Sequence, residues 1–224
     1  MTELTFAAQK QQMVQAARFL AETRVLSHSG HGNMSVRVPG VSDQMLLTSA
    51  SAVINRLEAD ELSVVDFRGN VLEGTVEPTS AEIVAMHAVV YEHKPQVQAV
   101  IHTHSPHVST FALAQQPLPC RYEALLRFDV AEDIPVAAWG PRGSEESVRN
   151  IAETIQGHPT AMAVLLANHG LLAFGHDIMA AAILIALMEE AAEMELDAEG
   201  LGGAKPFPAG ALDAVRERLR QFHS

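Results

Sequence analysis

The run Ile101-His102-Thr103-His104 constrains this chain more than any other stretch. It closes a segment, Val97–His104, that reads as a β-strand with Val100 and Ile101 at its apolar centre. Side chains alternate along a strand, so His102 and His104 project from one face. A third histidine, His169, sits in the polar break Asn168-His169-Gly170 after the apolar run Met162–Ala167. Three imidazoles arranged in this way can hold a divalent metal and leave positions open, which suits polarising a substrate rather than stapling a fold. The donor set accepts Zn, and also Mn, Fe, Co or Ni.

The rest of the chain alternates hairpin and helix signals. Residues 4 to 27 have helical apolar spacing, and Ser80–His93 reads as a helix stopped at Lys94 by Pro95. Ser144–Ile155 and Asp177–Glu199 read as further helices, the second with Asp177 as N-cap. Met34–Val38, Gln44–Thr48, Leu62–Asp66 with Val71–Leu72, Ile134–Ala138, Ala161–Leu166 and Leu171–Phe174 read as strands. No repeat or compositional break precedes Gly200. The expectation is one α/β domain over residues 1–199, with helices on both faces of a sheet. Residues 200–224 are expected to form a Gly/Pro-rich linker and a short helix, Leu212–Phe222, packed on the same domain or on a neighbouring subunit.

Several function classes are excluded on composition. A formal charge of −12 argues against nucleic acid, whose phosphates need clustered Lys and Arg. The apolar stretch Ile178–Met188 is too short for a membrane span. Cys120 is the sole cysteine, which rules out an intrachain disulfide and a cysteine metal site. The first residues show no basic region followed by an apolar core, so the expected location is the cytoplasm. Of the three lysines, Lys10, Lys94 and Lys205, each is expected on a helix surface or in a linker, which points away from imine chemistry.

Glu77-Pro78-Thr79-Ser80-Ala81-Glu82 opens the helix that leads into the histidine strand. Thr79 and Glu82 have the spacing of a capping box. The same helix start, with its free N–H groups and the hydroxyls of Thr79 and Ser80, can bind an anion, and Glu82 can move a proton beside a metal. Two more polar loops, Gly30–Ser35 and Thr48–Ser51, could approach a ligand. His28 and His31 flank the first. His107 is expected near the rim of the site, and His87, His93, His158 and His176 in structural or solvent-facing roles.

Together, GHGNMSVRV, MLLTSAS, EPTSAEIVAMHAVVY, AVIHTHSPH and LLANHGLLAFG, in this order, resemble the class II aldolase/adducin family. The resemblance runs from about Ala16 to Glu195. It implies a three-layer αβα fold with a largely antiparallel central sheet, and a homotetramer with sites between subunits. It implies metal ligands His102, His104 and His169 and a catalytic acid Glu82. It also implies a phosphate cradle of Asn33, Ser49, Ser51, Thr79 and Ser80, and a tyrosine from the adjacent subunit as proton donor, here Tyr122. The chain departs from the family at three points. Ala81 adds a residue before the acid, which rotates a helical side chain by about 100°. Ser49-Ala50-Ser51 lacks the usual glycine, and His31 is unusual in its loop.

The implied activity is that of a divalent-metal-dependent aldehyde-lyase of carbohydrate metabolism. Its expected cofactor is one metal per subunit, Zn first, with Mn or Co as alternatives. It would cleave a hydroxy-ketose (sugar) phosphate by retro-aldol chemistry through a metal-stabilised enediolate. The same scaffold admits a decarboxylase of a hydroxy or aromatic acid, a sugar-phosphate epimerase or dehydratase, and a non-catalytic adducin-like module.

Overall fold

The computed structural model describes residues 2–49 and 51–222. Its centre is an eight-stranded sheet. In chain order the strands are β1 (Gly32–Arg37), β2 (Gln44–Thr48), β3 (Leu62–Asp66), β4 (Val71–Glu73), β5 (Ala99–Thr103), β6 (Val136–Ala137), β7 (Ala163–Leu166) and β8 (Gly170–Gly175). Their spatial order is β4-β3-β2-β1-β5-β8-β7-β6, and every pairing is antiparallel except β6 with β7. The expected largely antiparallel sheet is what forms. The histidine strand β5 lies between β1 and β8, near the middle.

Period-two alternation divides the core into two layers. Met34 and Val36 of β1, Ala99 and Ile101 of β5, and Leu171 and Ala173 of β8 face one side. There they meet α1 (Thr2–Glu22), α3 (Pro106–Ala114) and α6 (Ile178–Ala198). Met45 and Leu47 of β2, Val100 of β5, and Leu172 and Phe174 of β8 face the other. That side is covered by α2 (Ser80–His93) and α5 (Glu145–Gly157). A fully buried Leu, Ile or Met is worth about 1.5–3 kcal/mol, so each layer is held by many such contributions. His102 and Asn33 have the parity of the second layer, where α2 and α5 begin.

The helices follow their sequence signals closely. In α1, Met13, Ala16, Ala17 and Leu20 are buried at three- and four-residue spacing. Asp177 caps α6 as expected, its carboxylate accepting from the Ala180 N–H at 2.7 Å. Ser144 caps α5 in the same way, accepting from Ser147 at 3.1 Å. Two helices were not expected: α3, with Pro106 in its first turn, and the short α4 (Glu123–Leu126). The C-terminal α7 (Ala211–Phe222) reaches back to the body of the chain, where Arg216 Nε donates to Asp129 at 2.8 Å.

The capping box at Thr79 does not form. Thr79 has helical backbone angles and its side chain caps nothing. The first turn of α2 is satisfied instead by backbone carbonyls three residues back. The N–H groups of Ser80, Ala81 and Glu82 donate to Glu77, Pro78 and Thr79 at 2.8, 3.4 and 3.3 Å. These bonds wind the first turn more tightly than an α-helix.

Candidate active site

The strand register builds the site. Asn33 of β1 lies directly across from His102 of β5, whose other neighbour is Leu172 of β8. His104, one residue past β5, and His169, in the β7–β8 turn, converge on the same point. The ligating atoms of the three imidazoles lie within 4.8 Å of one another. His102 and His104 face each other through Nε2 atoms 3.0 Å apart, close to the roughly 3.4 Å between two nitrogens on one tetrahedral ion.

Two of the imidazoles are aimed by backbone. His102 Nδ1–H donates to the Leu171 carbonyl at 2.9 Å, which leaves Nε2 bare for a metal. The β7–β8 turn places Asn168 in the left-handed region, φ +57°, with its N–H on the Ala112 carbonyl, and so presents His169. Gly170 follows for a steric reason. A Cβ there would sit 2.5 Å from the Thr103 carbonyl and 2.9 Å from the His104 ring.

Burial holds His102 well below the usual imidazole range, with His169 and His104 adding to the effect. His104 is lowered by burial first, then by His31 and Arg142. His169 falls to about 4, again through burial, then through His104 and Arg142. All three are neutral near pH 7, the form that ligates a metal. Among the described residues no other group of three His, Cys, Asp or Glu side chains is so placed. A divalent ion fits this donor set.

Behind Asn33 lies a buried relay. His87 of α2 bonds the Asn33 Oδ1 through Nε2 at 2.6 Å and the Ser35 Oγ through Nδ1 at 2.7 Å. Ser35 Oγ also meets the Tyr91 hydroxyl at 2.8 Å. One set of proton positions gives every atom a partner. Tyr91 donates to Ser35, Ser35 to His87 Nδ1, and His87 Nε2–H to Asn33, whose NH2 then serves the cavity. Burial keeps His87 neutral, with its pKa pushed down to about 3.

The cavity of about 190 Å³ is lined by the three ligands, His31, Asn33, Glu82 and Met86. Its outer wall is the β6–α5 connection, with Arg142 and Gly143, and the first turn of α5, with Ser147 and Val148. Arg142 Nε pairs with Glu82 Oε2 at 3.0 Å. Gly143, at φ +74°, lies so close that a Cβ would be 2.3 Å from Glu82 Cγ.

The structure therefore brings together His102, His104, His169, Glu82 and Asn33. Ser49, Ser51, Thr79 and Ser80 do not line this cavity, and Ala50 lies outside the described residues. Ser51 Oγ donates to Glu77 at 2.6 Å, and Ser80 Oγ is buried without a partner. Tyr122 is not in the cavity of its own chain. It precedes α4, with Glu190 at its hydroxyl, and its pKa is raised by burial and by that carboxylate.

Two expectations need correction. His107 is not at the rim, because it starts α3 and bonds Glu189 through Nδ1 at 2.8 Å. Lys94 is not on a surface. It is 3% exposed, its Nζ donating to the Pro159 carbonyl at 2.7 Å over the Phe174 ring, and it lies away from the cavity. Arg142 and Gly143 carry no motif that marks them as site residues in the sequence. The Pro141–Ser144 turn was their only local sign, and their contact with Glu82 crosses sixty residues.

A three-layer fold of this kind, with three imidazoles and a carboxylate around one cavity, defines a metal-centre α/β enzyme. The chain belongs to the class II aldolase and adducin family, whose N-terminal domain model matches residues 11–196. It is 31% identical to the 3-oxo-tetronate 4-phosphate decarboxylase of Haemophilus influenzae, over 88% of this chain and 91% of that protein. It is 28% identical to the L-fuculose phosphate aldolase of Methanococcus maripaludis, over 82% and 93%. A solved L-fuculose 1-phosphate aldolase superposes with a TM-score of 0.82 at 27% identity, covering 96% of this chain and 97% of the other. The chain is a lyase-family enzyme with a site for a divalent metal.

Proposed function

We propose that this enzyme cleaves a hydroxy-ketose phosphate by retro-aldol chemistry at the three-histidine centre. The observation that carries the reading is the convergence of His102, His104 and His169 on one cavity with Glu82 in its wall. A divalent ion bound there, Zn in our reading, supplies a Lewis acid that takes up negative charge as the carbon–carbon bond breaks.

The chain's own residues do the rest. Asn33 presents its NH2 to a substrate oxygen, held by the His87 relay. Glu82 stands within the same cavity and exchanges a proton at the carbon next to the substrate carbonyl. The phosphate lies over the first turn of α2, using Asn33, Thr79 and Ser80, with Ser49 and Ser51 opposite. The Ser51–Glu77 bond supports this placement, because it brings those two loops together. Tyr122, from an adjacent subunit of a homotetramer, relays the proton of the hydroxyl that becomes the product aldehyde: the proton leaves that oxygen in cleavage and returns to it in condensation. The 200–224 segment packs on its own domain, as the Arg216–Asp129 contact supports. We assign the protein to the cytoplasm and to carbohydrate metabolism. No helix of the described residues is long and apolar enough to cross a membrane.

The likeness to a 3-oxo-tetronate 4-phosphate decarboxylase favours a second reading on the same centre, loss of carbon dioxide instead of an aldehyde. One assay separates the two. The metal-loaded protein is given L-fuculose 1-phosphate and, separately, 3-oxo-tetronate 4-phosphate. Release of dihydroxyacetone phosphate from the first supports the aldolase, and carbon dioxide from the second supports the decarboxylase. Neither product, with metal bound, would sink both.

A further inference from the structure

Among the described residues Arg142 is the one arginine or lysine lining the cavity. It is half-exposed, and only its Nε is engaged, by Glu82 at 3.0 Å. The outward edge of the guanidinium, with both Nη groups, has no partner among the described residues. That edge is the fork that matches a carboxylate or phosphate with two parallel hydrogen bonds.

The loop carrying Arg142 is held against Glu82 by close packing. Gly143 touches the Glu82 side chain, and Gly140 lies where a Cβ would sit 2.7 Å from the Ser147 N–H nitrogen. The guanidinium is thereby kept between the acid and the metal ligands, near enough to lower the pKa of both His104 and His169.

We propose that Arg142 is a specificity-determining residue that binds an oxyanion of the substrate at the metal end of the cavity. In the free enzyme it holds Glu82. When substrate arrives, this oxyanion, a group other than the phosphate over α2, takes over the guanidinium, and Glu82 is released to face the reacting carbon. Sugars without an oxyanion at that end leave Glu82 tied. The inference rests on the lyase reading above and gives that reading a substrate requirement.

Binding is measured by calorimetry on the purified full-length protein, with zinc added and after chelation. The probes are malonate, inorganic phosphate and the neutral malonamide. After chelation the wild type should bind malonate or phosphate and not malonamide. Arg142→Met should weaken that binding about 10–100-fold, the weight of a charge-assisted bond, and Arg142→Lys should recover part of it. Arg149→Met, which removes an exposed charge from α5, should change nothing. Glu82→Gln should tighten binding several-fold by freeing the guanidinium, and the gain should vanish in the Glu82→Gln/Arg142→Met double variant. A preference for malonate names a carboxylate and a preference for phosphate names a phosphate group.

Binding by Arg142→Met equal to the wild type, or a Glu82→Gln gain that survives loss of Arg142, would overturn the proposal. Metal content is read on the same samples. Wild-type zinc in Arg142→Met with lost anion binding supports both readings. Absence of zinc from the wild type defeats the lyase reading on its own.

Discussion

The two walls of the cavity are built on different principles. The inner wall carries His102, His104 and His169 at strand ends, with His102 aimed by a main-chain bond, His169 presented by a tight turn and His104 packed against Gly170. The outer wall carries Glu82 and Arg142, whose side chains are 41% and 53% exposed and hold each other by charge. Rigid backbone fixes a ligand set in advance, as a metal needs. A solvent-facing ion pair is worth little in stability and exchanges partners easily. In the proposed reading, metal binding belongs to the inner wall, and proton movement and substrate selection to the outer one.

The largest expected effect separates the two walls. Glu82→Gln should lower kcat by about 10²–10⁴-fold, the usual loss for a general acid/base, while metal content stays at the wild-type level. Loss of the metal together with activity would join the walls into one unit. Tyr122→Phe should cost on the order of 100-fold in kcat. Mixing it with His102→Ala subunits should restore part of the lost rate if the tyrosine serves a neighbour. Mixtures as slow as the parents would place Tyr122 outside the chemistry.

The relay behind Asn33 belongs to the inner wall and should act through stability. His87→Leu leaves Asn33 Oδ1 without its buried partner and Ser35 with only Tyr91, and should destabilise the fold by about 2–3 kcal/mol in urea titrations. An unchanged midpoint would show that the relay contributes nothing.

A smaller effect concerns acid. His87 has an ordinary value of 6.5 and a folded value of about 3. Between those limits the unfolded chain takes up a proton that the folded chain refuses. Its contribution to stability is therefore complete above pH 6.5 and is lost by up to about 1.4 kcal/mol per pH unit below it. His87→Gln should flatten the fall in urea midpoint between pH 6.5 and 5, and an equally steep fall would assign it to other groups.

The same contrast explains what could be read in the sequence. The inner wall is written locally: His-x-His on an alternating strand, and Asn-His-Gly at the end of an apolar run. Asp177 and Ser144 were legible as helix starts because a cap reaches only three residues ahead. The outer wall is written across the fold. Nothing near Arg142 says that Glu82 will meet it, and nothing near Glu82 says that backbone turns will replace the Thr79 cap. The misplacement of His107 has a similar origin. Ser105-Pro106 reads as a break, yet proline is at home in the first turn of a helix, and the α3 it opens turns His107 toward Glu189.

The central claim is that three histidines hold one metal in each chain, independently of the acid beside them. The direct measurement is zinc content by mass spectrometry in the wild type and in His102→Ala, His104→Ala and His169→Ala, after dialysis against metal-free buffer. The account predicts one ion per chain in the wild type and almost none in each variant. Full zinc in any one of the three, or none in the wild type, would contradict it.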